Sequence, residues 1–178
     1  MSLIDDYLIP FHGLKEGIYD YEFEAGDDFF EFFDNPDVHG GELKILLRLH
    51  RKSQFLELKF KISGKLNVTC DRCLENFDHA IDSENVLYVR FGEKPEEISD
   101  TVVIIPHEET RINIAQYIYE FSLLALPVQK IHPLDERGVS GCNPEMMKRL
   151  SRHMFGVNKN KIESDPRWDA LKNFKSKN

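Results

Sequence analysis

Alternation of apolar and polar residues dominates the first two thirds of the chain. Between Lys15 and Phe23, Tyr19, Tyr21 and Phe23 alternate with Asp20 and Glu22, the period of a half-buried strand. The segment Asp27-Asp-Phe-Phe-Glu-Phe-Phe-Asp34 sets its aromatics in adjacent pairs three apart, as a short amphipathic helix does, and Asn35-Pro36 stops it. After Gly40-Gly41, Ile45, Leu47 and Leu49 alternate with Lys44, Arg48 and His50, and Leu56, Leu58, Phe60 and Ile62 follow the same rule. These predict two strands joined through Arg51–Gln54, which lacks glycine and so suits a turn of about three to five residues. Gly64 is expected to break or bulge the second strand, with Leu66 and Val68 carrying a short one into Cys70. Phe77 to Phe91 is strand-like at both ends, Pro95–Asp100 reads as an acidic solvent loop, and Val102–Ile105 supplies a last strand.

The period then changes. Asn113 followed by Gln116 has the form of a capping box, and Ile114, Tyr117, Ile118, Phe121 and Leu124 or Ala125 mark one face of a core helix over 113–126. Pro127 to Gly141, with two prolines and two glycines, reads as a long loop of the kind that needs a reason to be ordered. Asn143-Pro144 and Asp165-Pro166 each place an N-cap before an N1 proline, predicting short helices over Glu145–Arg152 and Arg167–Phe174. No internal repeat is visible. The expected class is α+β: an antiparallel sheet or partly open barrel with C-terminal helices packed on one side. The 178 residues suit a single domain, a β-rich body over 1–144 followed by a helical tail over 145–178.

Charge sharpens that division. The total of −8 hides 14 Lys+Arg against 27 Asp+Glu in residues 1–144, a net of −13, and 9 against 4 in residues 145–178, a net of +5. A basic arm on an acidic body can touch phosphates that the body repels, and a solvated charged helix is the plain alternative. The candidate contact residues are Lys148, Arg149, Arg152, Lys159, Lys161, Arg167 and Lys172, interleaved with Trp168 and Phe174. Trp168 and Leu171, three apart, also suit docking of the last helix on the body. No basic, apolar leader and no long apolar run is present, so secretion and membrane insertion are not expected. Three cysteines are an odd number, which points to a reducing compartment, the cytoplasm.

Cys70-Asp71-Arg72-Cys73 is the sharpest chemical feature. Two thiolates at this spacing in a turn can face one tetrahedral Zn²⁺, and His132 and Cys142, in or beside the long loop, complete a three-thiolate, one-imidazole set. Nine residues separate His132 from Cys142, wider than a knuckle, and a redox pair or two structural thiols in a β-turn are the alternatives. A redox pair normally caps a helix after a parallel strand, whereas this turn joins antiparallel ones. Arg72 is expected to point outward as a phosphate or carboxylate fork. No Gly-rich phosphate loop, nucleophile elbow, metal-binding histidine pair or carboxylate dyad occurs in convincing context, and His107-Glu108-Glu109 lacks a second histidine, so a non-catalytic protein is expected.

Val68-Thr-Cys-Asp-Arg-Cys-Leu-Glu75 with Phe77, the Leu124-Ala-Leu-Pro127 helix end, a His and a Cys beyond it, and Asp165-Pro-Arg-Trp-Asp-Ala-Leu-Lys172 together resemble the YceD family over residues 40–174. Cys70, Arg72 and Cys73 match its first motif; Asp165, Pro166, Arg167, Trp168 and Leu171 match its last. The resemblance implies a non-catalytic factor supporting large-subunit ribosomal RNA during ribosome assembly, with ribosomal RNA or a large-subunit ribosomal protein as partner. No catalytic residue transfers with it. Some relatives look richer in cysteine in the loop before the tail, where this chain keeps only His132 and Cys142.

Overall fold

A computed structural model describes residues 3–154. A 3₁₀ turn over Leu3–Tyr7 leads into β1 (Leu8–Pro10) and β2 (Gly17–Ala25); then come α1 (Asp27–Phe32), β3 (Val38–Arg51), β4 (Phe55–Thr69) and β5 (Asn76–Gly92). β6 (Glu96–Ser99), β7 (Val102–Pro106), β8 (Arg111–Asn113), α2 (Ala115–Leu124) and α3 (Pro144–Met154) complete the order. Six strands form the main sheet in the order β2-β3-β4-β5-β7-β6, and β1 pairs with β8 in a separate ribbon.

The pattern of the long strands becomes one buried face. Ile45, Leu47, Leu49, Leu56, Leu58, Phe60, Ile62, Leu66, Leu87 and Val89 are all buried there, as a period of two requires. α1 and α2 cover this face. Phe29 and Phe30 of α1 are buried, the Phe121 ring of α2 meets Phe60 edge-on at 5.2 Å, and Phe33 stacks on Tyr119 at 4.0 Å, tying the helices together. The opposite face carries solvated cross-strand pairs: Arg48 to Asp20 at 2.7 Å, Lys44 to Glu22 at 3.6 Å and Lys61 to Glu84 at 3.6 Å.

Several expectations are corrected. The sheet is mixed and not wholly antiparallel, because β5 and β7 run parallel; of the two forms expected, the described residues make the open sheet, with β2 and β6 as its edges. Gly64 does not break β4, which pairs without interruption from Leu56 to Val68. The glycine is needed for close approach: its φ is +148°, and a Cβ would collide with the Glu42 carbonyl oxygen. The register shift lies instead between Val38 and Gly40. Pro95–Asp100 is not wholly a loop, since Glu96–Ser99 pairs with β7 at the sheet edge; its side chains are all exposed, which leaves no burial period to read. The helix predicted over 113–126 is shorter, and there is no capping box. Asn113 closes β8 and its Oδ1 accepts from the Ala115 N–H at 2.9 Å, while Gln116 bonds forward to Glu120 at 2.6 Å. Leu124 is 75% exposed and does not extend the buried face.

At α3 the N-cap reading holds. Asn143 Oδ1 accepts from the Glu145 N–H at 2.9 Å and from the Met146 N–H at 3.4 Å, and Met146 and Met147 pack against the core. The helix predicted over Arg167–Phe174 lies outside the described residues.

Candidate metal centre

The turn between β4 and β5 is closed by its own backbone. The Cys70 N–H donates to the Glu75 carbonyl at 2.9 Å and the Leu74 N–H donates to the Cys70 carbonyl at 2.9 Å. Tight closure puts Leu74 at φ +61°, a left-handed conformation that costs an L-residue about 1–2 kcal/mol. The result is that Cys70 and Cys73 turn inward and are buried, whereas Asp71, Arg72 and Leu74 stay exposed.

The long loop explains the wide spacing of the other pair. Leu134 and Ser140 form an isolated antiparallel bridge. Within it Asp135 organises the reversal: its N–H donates to the Val139 carbonyl at 2.8 Å, and its Oδ1 accepts from the Arg137 and Val139 N–H groups at 2.9 and 2.7 Å. Gly138 supplies the positive φ of +76°. The segment is thus a small hairpin whose two ends, His132 and Cys142, come back to one place. Gly141 lies directly against His132, whose Cβ would be in ordinary contact, at 3.4 Å, with a Cβ added there, and the His132 ring stacks on Phe77 at 4.5 Å.

All four predicted ligands converge. The sulfurs and imidazole nitrogen of Cys70, Cys73, His132 and Cys142 lie within 4.8 Å of one another. Cys70 Sγ is 3.8 Å from Cys142 Sγ, and His132 Nδ1 is 3.4 Å from Cys73 Sγ and 3.8 Å from Cys142 Sγ. Bond lengths of about 2.3 Å to sulfur and 2.0 Å to nitrogen give tetrahedral edges of about 3.8 Å between sulfurs and 3.5 Å from sulfur to nitrogen. The three distances above match these edges within about 0.3 Å, and no pair of the four atoms is farther apart than 4.8 Å, so the residues fit a metal ion. The cysteines are free thiols and not disulfides, and the turn joins antiparallel strands, unlike the helix-capping redox pairs.

Electrostatics prepare the group unevenly. Burial alone would push the Cys70 thiol up, but backbone N–H groups of Cys73, Arg72 and His132, with the His132 ring, bring it down to about 6. A hydrogen bond with Ser140 favours the Cys142 thiolate, yet burial and the crowding sulfurs of Cys70 and Cys73 outweigh it and push that thiol up. One sulfur is readily charged and a neighbour resists, a repulsion that a bound cation removes.

Clamps that the sequence reading did not single out hold the loop to the turn. The Asp71 N–H donates to the Lys130 carbonyl and the Lys130 N–H donates to Asp71 Oδ2, both at 2.7 Å. Asn143 Nδ2 donates to Glu75 Oε1 at 2.6 Å. Asp71 and Glu75 sit within or beside the CxxC motif, and Asn143 adjoins Cys142, so proximity to the ligands is the signal that marks them. Arg72, Lys148, Arg149 and Arg152 are exposed. Lys159, Lys161, Arg167 and Lys172, with the motif residues Asp165, Pro166, Trp168 and Leu171, lie outside the described residues.

A mixed sheet whose central hairpin turn presents two cysteines to a His and a Cys on a returning loop defines a β-sheet protein with a Cys₃His cluster. The family model described as large ribosomal RNA subunit accumulation protein YceD matches residues 58–175, and the chain belongs to this family. The match takes in the cluster, α2 and α3. Searches of the curated proteins and of the solved structures returned no match.

Proposed function

We propose that this chain is a non-catalytic factor that supports accumulation of the large-subunit ribosomal RNA, acting in the cytoplasm through contact with RNA, with a ribosomal protein, or with both. The observation that carries this reading is the family match, which runs from β4 through the cluster and α3 into the basic tail. A Zn²⁺ ion held by Cys70, Cys73, His132 and Cys142 serves as a structural bond. It fastens the 127–141 loop to the sheet, and because Cys142 immediately precedes the N-cap of α3, it also fixes where the basic residues Lys148, Arg149 and Arg152 begin. Arg72 stands on the same turn and adds a guanidinium fork suited to phosphate. Thiol oxidoreductase chemistry is disfavoured by the burial of all three cysteines.

The test is genetic and biochemical together. Deleting the gene is expected to alter the profile of large-subunit ribosomal RNA precursors, and tagged protein is expected to recover large-subunit RNA or ribosomal proteins in a salt-sensitive manner. An unchanged precursor profile, with neither class of molecule recovered, overturns the reading. A partner that is not ribosomal and resists salt favours a zinc-stabilised protein-interaction module instead.

A further inference from the structure

α2 turns one stripe toward the sheet edge, because Tyr117, Glu120, Phe121 and Leu124 follow one another at helical spacing. Opposite it stand Val103 of β7 and Glu97 of β6, which pair in register and so share the core face. Between helix and strands runs a groove of ≈ 460 Å³. Phe121 and Val103, both buried, make its floor, and Leu124 stands exposed beside it. Glu97, Asp100 and Glu120 edge the groove, and no lysine, arginine or histidine lines it. Burial, then the charges of Glu97 and Glu120, push the Tyr117 hydroxyl up, so carboxylates from both walls face the same ring.

The composition of these walls selects an occupant. On the outer face of the sheet, the carboxylates of Asp20, Glu22 and Glu84 each meet a cation of the neighbouring strand. Those of Glu97 and Asp100 enter no ion pair among the described residues, and Glu120 accepts a hydrogen bond from the Gln116 amide at 2.6 Å. Like charges around an apolar floor reinforce one another's field, which draws cations in and keeps anions out. Phosphate, whether of RNA or of a lipid surface, is therefore repelled. A second copy would bring another acidic body and is repelled as well. A polypeptide segment rich in lysine or arginine, with an apolar side chain for the floor, matches both the charge and the surface.

We propose that the groove between α2 and β6 docks a Lys/Arg-rich segment of a partner protein, an apolar side chain of that segment resting on Val103, Phe121 and Leu124 while its cations meet Glu97, Asp100 and Glu120. This docking rests on the ribosomal-protein route of the proposed function and gives that route a surface. A protein that holds ribosomal RNA neutralises phosphates with lysine and arginine, so it carries segments of this chemistry. The groove uses neither the cysteine cluster nor the basic residues of α3, which leaves both free for other contacts.

The full chain is titrated against a fluorescein-labelled peptide with two lysines to every leucine, and against the same peptide with serine in place of leucine, binding being read by anisotropy. The leucine peptide should bind about tenfold more tightly than the serine one. Glu97→Gln combined with Glu120→Gln should weaken it about tenfold, whereas Asp82→Asn, at an exposed carboxylate on the outer face of β5, should leave it nearly unchanged. Leu124→Glu should weaken binding although it adds negative charge, and because Leu124 is exposed this variant should melt like the parent. A parent that binds neither peptide, tightening in Leu124→Glu, equal loss in Asp82→Asn, or no preference for leucine overturns the groove. Tighter binding in Lys159→Gln with Lys161→Gln makes this chain's own tail the occupant, and a parent dimer that Leu124→Glu dissociates makes it a second copy; either result rules out the partner. Ribosomal proteins recovered equally by the parent and by the Glu97→Gln, Glu120→Gln variant refute the groove while the ribosomal reading stands. Leucine-dependent peptide binding by a parent that recovers no ribosomal molecule keeps the groove and refutes that reading.

Discussion

Asp71 and Lys130 exchange two hydrogen bonds of 2.7 Å, one from each backbone N–H, so the turn that presents Cys70 and Cys73 and the loop that presents His132 are joined beside the cluster. Only one of these bonds uses a side chain. Asp71→Ala should therefore lower stability by about 1 kcal/mol and weaken metal affinity about tenfold, whereas Asp71→Asn, which retains an acceptor oxygen, should lose much less. Thermal melts and competition with a chromogenic chelator measure the two effects. Equal behaviour of the two variants would show that the clamp does not act through this oxygen.

Protein purified without chelator should contain about one equivalent of zinc, and Cys70→Ser or Cys142→Ser should abolish it, since the remaining donors no longer close a tetrahedron. Because the sheet has its own core, chelation should not unfold the chain. It should remove on the order of 4 kcal/mol when free metal stands at a thousand times its dissociation constant, a fall of about 10 °C in Tm. Elemental analysis giving no metal in the parent protein would refute the site.

The metal-free protein should show a thiol-dependent pH profile. Cys70 is held down to about 6 in the folded state against about 8.5 when unfolded. Its contribution to stability is therefore complete only above the unfolded value and drains away as pH falls through about 6. Cys142 is pushed up, so its contribution is complete below the ordinary thiol range and is lost as pH rises beyond it. Stability should climb from about pH 6 toward 8 and turn over above about 9. Melts of parent and Cys70→Ser proteins in chelator test this: the rising limb should vanish in the variant, and identical profiles would contradict it.

Gly64→Ala should destabilise by at least about 2 kcal/mol, or roughly 5 °C, because the new methyl meets the Glu42 carbonyl and the φ of +148° disfavours it. Ser63→Ala, one residue away on the open face, is the control and should change little. A wild-type melting temperature for Gly64→Ala would mean that β3 and β4 separate locally at no cost.

The long strands were legible because one face of the sheet is buried and the other is wet, which writes a period of two into Ile45–Leu49 and Leu56–Ile62. β6 was not, since every side chain of Glu96–Ser99 is exposed, and β1 and β8, at three residues each, are too short to show a period. The parallel pairing of β7 with β5 depends on contacts distant in sequence, which alternation does not encode. All four residues of the cluster were readable from their chemistry. What spacing concealed was the hairpin that makes nine intervening residues short in space, although Asp135 and Gly138 were its visible markers. Arg51 reads as the first residue of the hairpin turn, whereas the register pairs it with Leu56 at the end of β3.

The length of β4 has a consequence for the cysteine turn at its end. A strand flanked on both sides by long hydrogen-bonded neighbours is stiff, so the turn that carries Cys70 and Cys73 is held in place by the whole sheet. The loop bearing His132 and Cys142 is held instead by its own Leu134–Ser140 bridge and by the clamps to Asp71 and Glu75. Assembly of the cluster is therefore one-sided: the strand end stands ready, and the loop comes to it.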